Sequence, residues 1–69
     1  MSFGTRLLSC MREADITHTE LSAITGMDIT HISHIVHDDR SPSLTTLTRI
    51  LKALPEADAR WLITGERHV

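Results

Sequence analysis

The sequence predicts an all-α domain of five short helices. Apolar residues recur every three or four positions, which is the spacing of an amphipathic helix, and no segment alternates as a half-buried strand would. Capping residues and glycines divide the chain into five such segments. A chain of 69 residues has room for one small core, so we expect residues 1–69 to form a single domain.

The first helix is predicted to start after Ser2, whose hydroxyl can cap a helix N-terminus. The connector Asp15-Ile16 follows it. The apolar positions of the first helix are Phe3, Leu7, Cys10, Met11 and Ala14.

The second and third helices are predicted from their end signals. Thr17 and Glu20 have the spacing of a capping box, Gly26 is a typical helix stop, and Asp28 can cap the next helix. The side chains expected to face inward are Leu21, Ile24, Met27, Ile32, Ile35 and Val36.

The last two helices follow a polar loop at residues 37–42. Ser43 is the predicted cap of the fourth helix, Pro55 suits the first turn of the fifth, and Gly65 closes it. The apolar stripe of the fourth helix is Leu44, Leu47, Ile50, Leu51 and Leu54, and the fifth carries Ala59, Trp61, Leu62 and Ile63.

Residues 18–37 form the most informative segment. The turn around Gly26 is too short for an antiparallel hairpin, and a left-handed glycine there sets the third helix across the second. Ser22 is a small residue at the expected close approach of the two helices. The arrangement leaves one face of the third helix clear of the core, at Ile29, Thr30, Ser33, His34 and His37.

The chain resembles the lambda-repressor-like helix-turn-helix family, which includes Cro and many short bacterial regulators. No insertion is needed between Arg6 and Leu54 to match the pattern of the family. The residues that carry the resemblance are Phe3-Gly4-x-Arg6-Leu7, Thr17-His18-x-x-Leu21-Ser22, Gly26, Ile32-Ser33-x-Ile35, Arg40-x-Pro42-Ser43-Leu44-x-x-Leu47, Ile50-x-x-Ala53-Leu54 and residues 61–65.

This resemblance implies a sequence-specific DNA-binding transcriptional regulator whose third helix enters the major groove. It further implies a repressor of the phage or prophage type that binds a palindromic operator as a homodimer. By position in the family pattern, the expected base contacts are Ile29, Thr30, Ser33 and His34, and the expected phosphate contacts are His18, His37, Arg40, Ser41 and Ser43. Residues 56–64 are the expected dimerisation helix, with Trp61, Leu62 and Ile63 at the interface.

Three features depart from the family pattern. Asp38-Asp39-Arg40 stands where Asn-Gly-Lys or a similar loop is usual, and the two carboxylates are expected to repel phosphate. Met11 and Val36 occupy positions where many members carry an Arg–Glu pair, and such a joint apolar replacement is often neutral for stability. The third helix has no Arg, Lys, Gln or Asn, so methyl contacts, histidine and DNA shape are expected to carry specificity.

The charge balance motivates an alternative. Seven Lys and Arg residues against nine acids give a net charge of −2, whereas nucleic-acid binders are usually basic. The alternative is a protein-interaction module on the same fold, such as an antitoxin or antirepressor. An enzyme is the least favoured hypothesis, because no nucleophile triad or phosphate-binding glycine loop is present.

No cofactor or metal is expected. His31, His34 and His37 recur every third residue, but this spacing drifts around a helix, so solvated or DNA-facing histidines are the preferred interpretation. Cys10, the single cysteine, is expected in the core. With no signal peptide or membrane-length apolar segment, a cytoplasmic location is expected.

Overall fold

The computed structural model describes residues 1–67, which form five α-helices without a strand. They are α1 (Phe3–Glu13), α2 (His18–Thr25), α3 (Ile29–Val36), α4 (Leu44–Ala53) and α5 (Ala59–Thr64). The predicted all-α architecture of five helices is therefore confirmed. None of these helices has the length and apolar content needed to cross a bilayer.

Each helix starts at a capping side chain. Ser2, Thr17, Asp28 and Ser43 cap the first four helices as predicted, and Thr17 and Glu20 form the complete capping box. The prediction for Pro55 is wrong. Pro55 lies in a turn before α5, and Asp58 caps that helix by accepting the Trp61 N–H at 3.1 Å.

Four helices end at or just before a residue with left-handed φ, and two of these residues are not glycine. Gly26 and Gly65 end α2 and α5 with φ of 73° and 79°, as expected of stop glycines. Asp15 and Asp38 take the same left-handed conformation after α1 and α3, with φ of 56° and 63°. The sequence signal was weak here because aspartate adopts this conformation less often than glycine, although it tolerates it better than most residues.

All five helices contribute to the core, in which α1 packs against α3 and α5, and α2 packs against α3 and α4. Its fully buried side chains of largest volume are Leu7, Met11, Leu21, Ile32, Ile35, Ile50 and Leu62. Val36 packs against the cluster that contains Met11, in keeping with the apolar replacement of both family positions.

Ile24, which was predicted to face inward, is exposed, as are Leu44 and Ala14 from the predicted apolar stripes. Leu44 is 80% exposed because it occupies the first turn of α4, which packs mainly against α2. Ile24 is 58% exposed and lies at the rim of a shallow groove that Arg49 and Lys52 also line. Ala14 is exposed at the C-cap of α1. Helical periodicity alone places these residues on apolar faces, but the extent of the neighbouring helices decides their burial.

The backbones of α1 and α3 meet at Gly4. A Cβ at this position would lie 2.1 Å from the Val36 carbonyl oxygen and 2.7 Å from that of Ile35. Real Cβ atoms do not approach backbone oxygens so closely, so only glycine fits here. This contact fixes the C-terminal end of α3 against the first turn of α1.

Arg6 joins the first helix to the last. Its side chain is buried, and its Nε donates to the Leu62 carbonyl at 2.9 Å while Nη2 donates to the Ile63 carbonyl at 3.3 Å. Nη1 donates to the Met1 carbonyl. The guanidinium thus satisfies carbonyls near the C-terminus of α5, where a positive charge is favourable.

Candidate nucleic-acid interface

The turn between α2 and α3 sets the angle of the helix pair. Gly26 has a left-handed φ of 73°, and a Cβ there would meet nothing within 4 Å, so the glycine is needed for backbone conformation and not for space. The Ser22 hydroxyl donates to the Met27 carbonyl at 2.5 Å, and the Thr25 hydroxyl accepts the Met27 N–H at 3.2 Å. These short polar side chains hold the turn in one geometry.

One side of α3 is buried and the other is accessible. Ile32 and Ile35 are in the core, whereas Ile29 is 44% exposed and Thr30 and His34 are exposed. Ser33 is half-buried at the edge of the accessible side. The structure therefore brings the four predicted base-contacting residues together on a single helix, and their contact with bases remains a prediction.

The predicted phosphate-contacting residues surround α3. His18 is half-buried at the first position of α2, His37 is exposed at the C-cap of α3, and Arg40 and Ser41 are exposed in the following loop. The Ser43 hydroxyl is already engaged, because it accepts the Thr46 N–H at 3.2 Å and bonds the Thr46 hydroxyl at 3.1 Å. We therefore expect a phosphate contact at Ser43 to come from backbone N–H groups.

The two loop carboxylates make structural contacts of their own. Asp38 accepts the Gly4 N–H at 3.0 Å and so caps α1 from 34 residues away. The Ser2 hydroxyl and this N–H lower the pKa of the Asp38 carboxyl. Asp39 lies beside His34, with 3.3 Å between Asp39 Oδ2 and His34 Nδ1. Sequence reasoning treated both carboxylates only as a source of repulsion.

Residues 13–39 contain α2, α3 and six acidic side chains, but no Lys or Arg. Four of the five histidines of the chain lie in the same segment. Any cationic contact from this segment to phosphate therefore requires a protonated histidine, whereas Arg40, Arg49 and Lys52 lie beyond it. Within residues 1–67, no three His, Cys, Asp or Glu side chains are arranged to hold a metal ion.

The predicted dimer residues differ in their accessibility. Leu62 is fully buried in the core beside α1, so a single copy of the chain exposes none of its side chain to a partner. Ile63 is 46% exposed, and Trp61 is half-buried with the Arg67 guanidinium 4.6 Å from its ring centroid. Of the three predicted interface residues, Ile63 and Trp61 are therefore the two with surface accessible to a second copy.

A helix-turn-helix family model matches residues 7–62, from the middle of α1 into α5. No curated protein and no solved structure matches the chain. The matched region includes the α2–turn–α3 unit and most of the core around it. The chain therefore belongs to the helix-turn-helix family of XRE-type, Cro-like DNA-binding regulators.

Proposed function

We propose that this protein is a sequence-specific transcriptional repressor of the phage or prophage type, which binds a palindromic operator as a dimer. The observation that carries the proposal is the accessible side of α3, which is held across α2 by the Gly26 turn. A helix presented in this way fits the major groove, where each base pair has a distinct pattern of donors and acceptors. Such a regulator acts on DNA in the cytoplasm.

The side chains on α3 are suited to contacts with thymine methyl groups and base edges. Ile29 can pack on a thymine methyl, Thr30 and Ser33 can donate to or accept from base edges, and His34 can reach a purine edge. The groups that then face the phosphates on either side are His18, His37, Arg40, Ser41 and the first turn of α4 after Ser43. These backbone contacts position the protein and do not by themselves read sequence.

The direct test is selection of bound duplexes from a random DNA library at a low and a moderate salt concentration. We expect enrichment of a palindrome whose binding weakens as salt rises, because phosphate contacts release counterions. Ile29→Ala should relax one position in each half-site. Ile24→Ala is the matched control, since Ile24 is an exposed isoleucine on α2 and should leave the selected sequence unchanged. If no duplex is enriched even at low salt, the protein is not an operator-binding repressor.

The dimer is proposed to form through α5, because this helix leaves Ile63 46% exposed and Trp61 half-buried. A two-fold dimer would place the same patch of both copies in contact. Ile63→Asp should shift the protein towards monomer in sedimentation velocity, and Ile24→Asp should not. Equal behaviour of the two variants would rule out this surface.

One observation favours a second function. The segment of residues 13–39 carries six acids and no Lys or Arg, which suits a basic protein surface better than DNA. In this alternative the chain is an antitoxin or antirepressor that contacts its protein partner with the same face. Failure of the DNA selection combined with salt-sensitive binding of a basic partner protein would favour it.

A further inference from the structure

We propose that Asp39 is a positioning residue that sets which base edge His34 can read, by fixing the position of the proton on the His34 ring. The proposal rests on the proposed function, because it requires His34 to face the bases. It adds a specificity-determining role for a loop residue outside the recognition helix.

The position of the Asp39 carboxylate follows from the way α3 ends. Asp38 adopts a left-handed φ of 63°, which turns the chain back over the last turn of the helix. The Asp39 N–H then donates to the His34 carbonyl at 2.9 Å, and Asp39 Oδ2 lies 3.3 Å from His34 Nδ1. The two residues are thus joined by a backbone hydrogen bond and by a side-chain contact.

The carboxylate determines the chemistry of the ring. An ionised carboxylate only accepts hydrogen bonds, so the contact requires the proton on Nδ1. In a neutral ring, Nε2 is then an acceptor, and it suits the amino groups that adenine N6 and cytosine N4 present in the major groove. When the ring is protonated, Nε2 becomes a donor and suits the N7 and O6 acceptors of guanine.

The surroundings of His34 leave Asp39 as its carboxylate partner in the described part of the chain. The other titratable groups on α3 and its neighbouring elements are Arg6, Cys10, Arg12, Glu13, His18, Glu20, Asp28, His31, His37 and Asp38. Within residues 1–67 none of these forms an ion pair with His34. Asp38 is directed to the Gly4 N–H, and Glu20 to the Thr17 N–H.

The test in DNA uses four duplexes that differ only at the base pair read by residue 34, which is located by the position that His34→Ala relaxes. For the wild-type protein we expect about three- to tenfold preference for adenine or cytosine at about pH 8. Equal binding of the four duplexes by the wild-type protein would overturn the proposal.

The matched variants are Asp39→Ala and Asp38→Asn. Each removes one negative charge from the same loop, so both should change overall affinity in the same direction. Asp38→Asn keeps an acceptor and a residue that tolerates left-handed φ, and it does not alter the side chain next to His34. Only Asp39→Ala should lose the base preference at about pH 8. Equal preferences in the two variants would show that Asp39 does not position the ring.

A readout on the free protein separates this inference from the proposed function. Long-range ¹H–¹⁵N correlation spectra distinguish the two neutral tautomers of a histidine. We expect the His34 proton mainly on Nδ1 in the wild type and a shift towards Nε2 in Asp39→Ala. A wild-type proton mainly on Nε2 would refute the role of Asp39 whether or not DNA binds. Failure to select any duplex would refute the proposed function, and with it the base-reading role of His34.

Discussion

Replacement of Gly4 by alanine tests the packing that holds the recognition helix. The added Cβ would lie 2.1 Å from the Val36 carbonyl oxygen, so α1 and α3 must separate by about 1 Å to reach the shortest tolerated contact. Overpacking of this kind costs about 1–3 kcal/mol and sometimes more. The shift also disturbs the hydrogen bond from the Gly4 N–H to Asp38, so we expect a loss of about 3 kcal/mol.

This loss is large for a protein of this size. At the usual stability per residue, 69 residues give a free energy of unfolding of about 3–10 kcal/mol. The assay is urea unfolding followed by the fluorescence of Trp61, the single tryptophan, together with circular dichroism. We expect a clear fall in the urea midpoint and, in the folded fraction, weaker DNA binding, because the C-terminal end of α3 moves.

The direction of the change in stability distinguishes the close contact at Gly4 from an ordinary helix position. In an ordinary helix interior, glycine to alanine stabilises by about 1 kcal/mol. Gly26→Ala is a useful comparison, because position 26 has open space but a φ of 73°, so backbone conformation alone should cost about 1–2 kcal/mol. If Gly4→Ala left stability unchanged or increased it, the close approach of α1 and α3 would be refuted.

Three further predictions concern contacts that the fold creates. Arg6→Met should lower the free energy of unfolding by about 2–3 kcal/mol, because it leaves the carbonyls of α5 without their donor. Arg12→Met, at an exposed position of the same helix, should be nearly neutral in the same urea titration. Asp38→Asn should lower the Tm at neutral pH, because the folded state lowers the pKa of this carboxyl. The difference in Tm between the variant and the wild type should shrink as pH falls below about 4 and through the pKa of Asp38 in the folded state. A difference in Tm that stays constant in acid would contradict this. Burial, together with the nearby Glu13 charge, raises the pKa of the Cys10 thiol. A thiol reagent should therefore modify the folded protein slowly and the urea-unfolded protein quickly. Equal rates would contradict the burial of Cys10.

The elements that could be predicted from the sequence depend on contacts within a few residues. The capping box joins Thr17 and Glu20 across three positions, and Ser43 caps an N–H three residues later. Gly26 ends α2 through its own backbone conformation. Such signals are readable because both partners lie in the same short segment.

The accessible side of α3 was also predictable, since residues at helical spacing share a face. Ile29, Thr30 and His34 are exposed where the pattern places them, while Ile32 and Ile35 are buried. Their contacts with DNA stay predictions. The loop after α3 was harder to interpret, because a carboxylate in sequence gives no indication of which donor it will meet.

Local spacing and local hydrogen bonds were enough to predict the five helices, their main caps and the family to which the helix pair belongs. Long-range packing was needed to establish that Asp38 caps α1 across 34 residues and that Arg6 reaches carbonyls 56 and 57 residues later. It also decided that Leu62 is buried while its neighbour Ile63 is exposed. Adjacent helical residues point about 100° apart, so the packing of α5 against α1 selects which of the two apolar side chains enters the core.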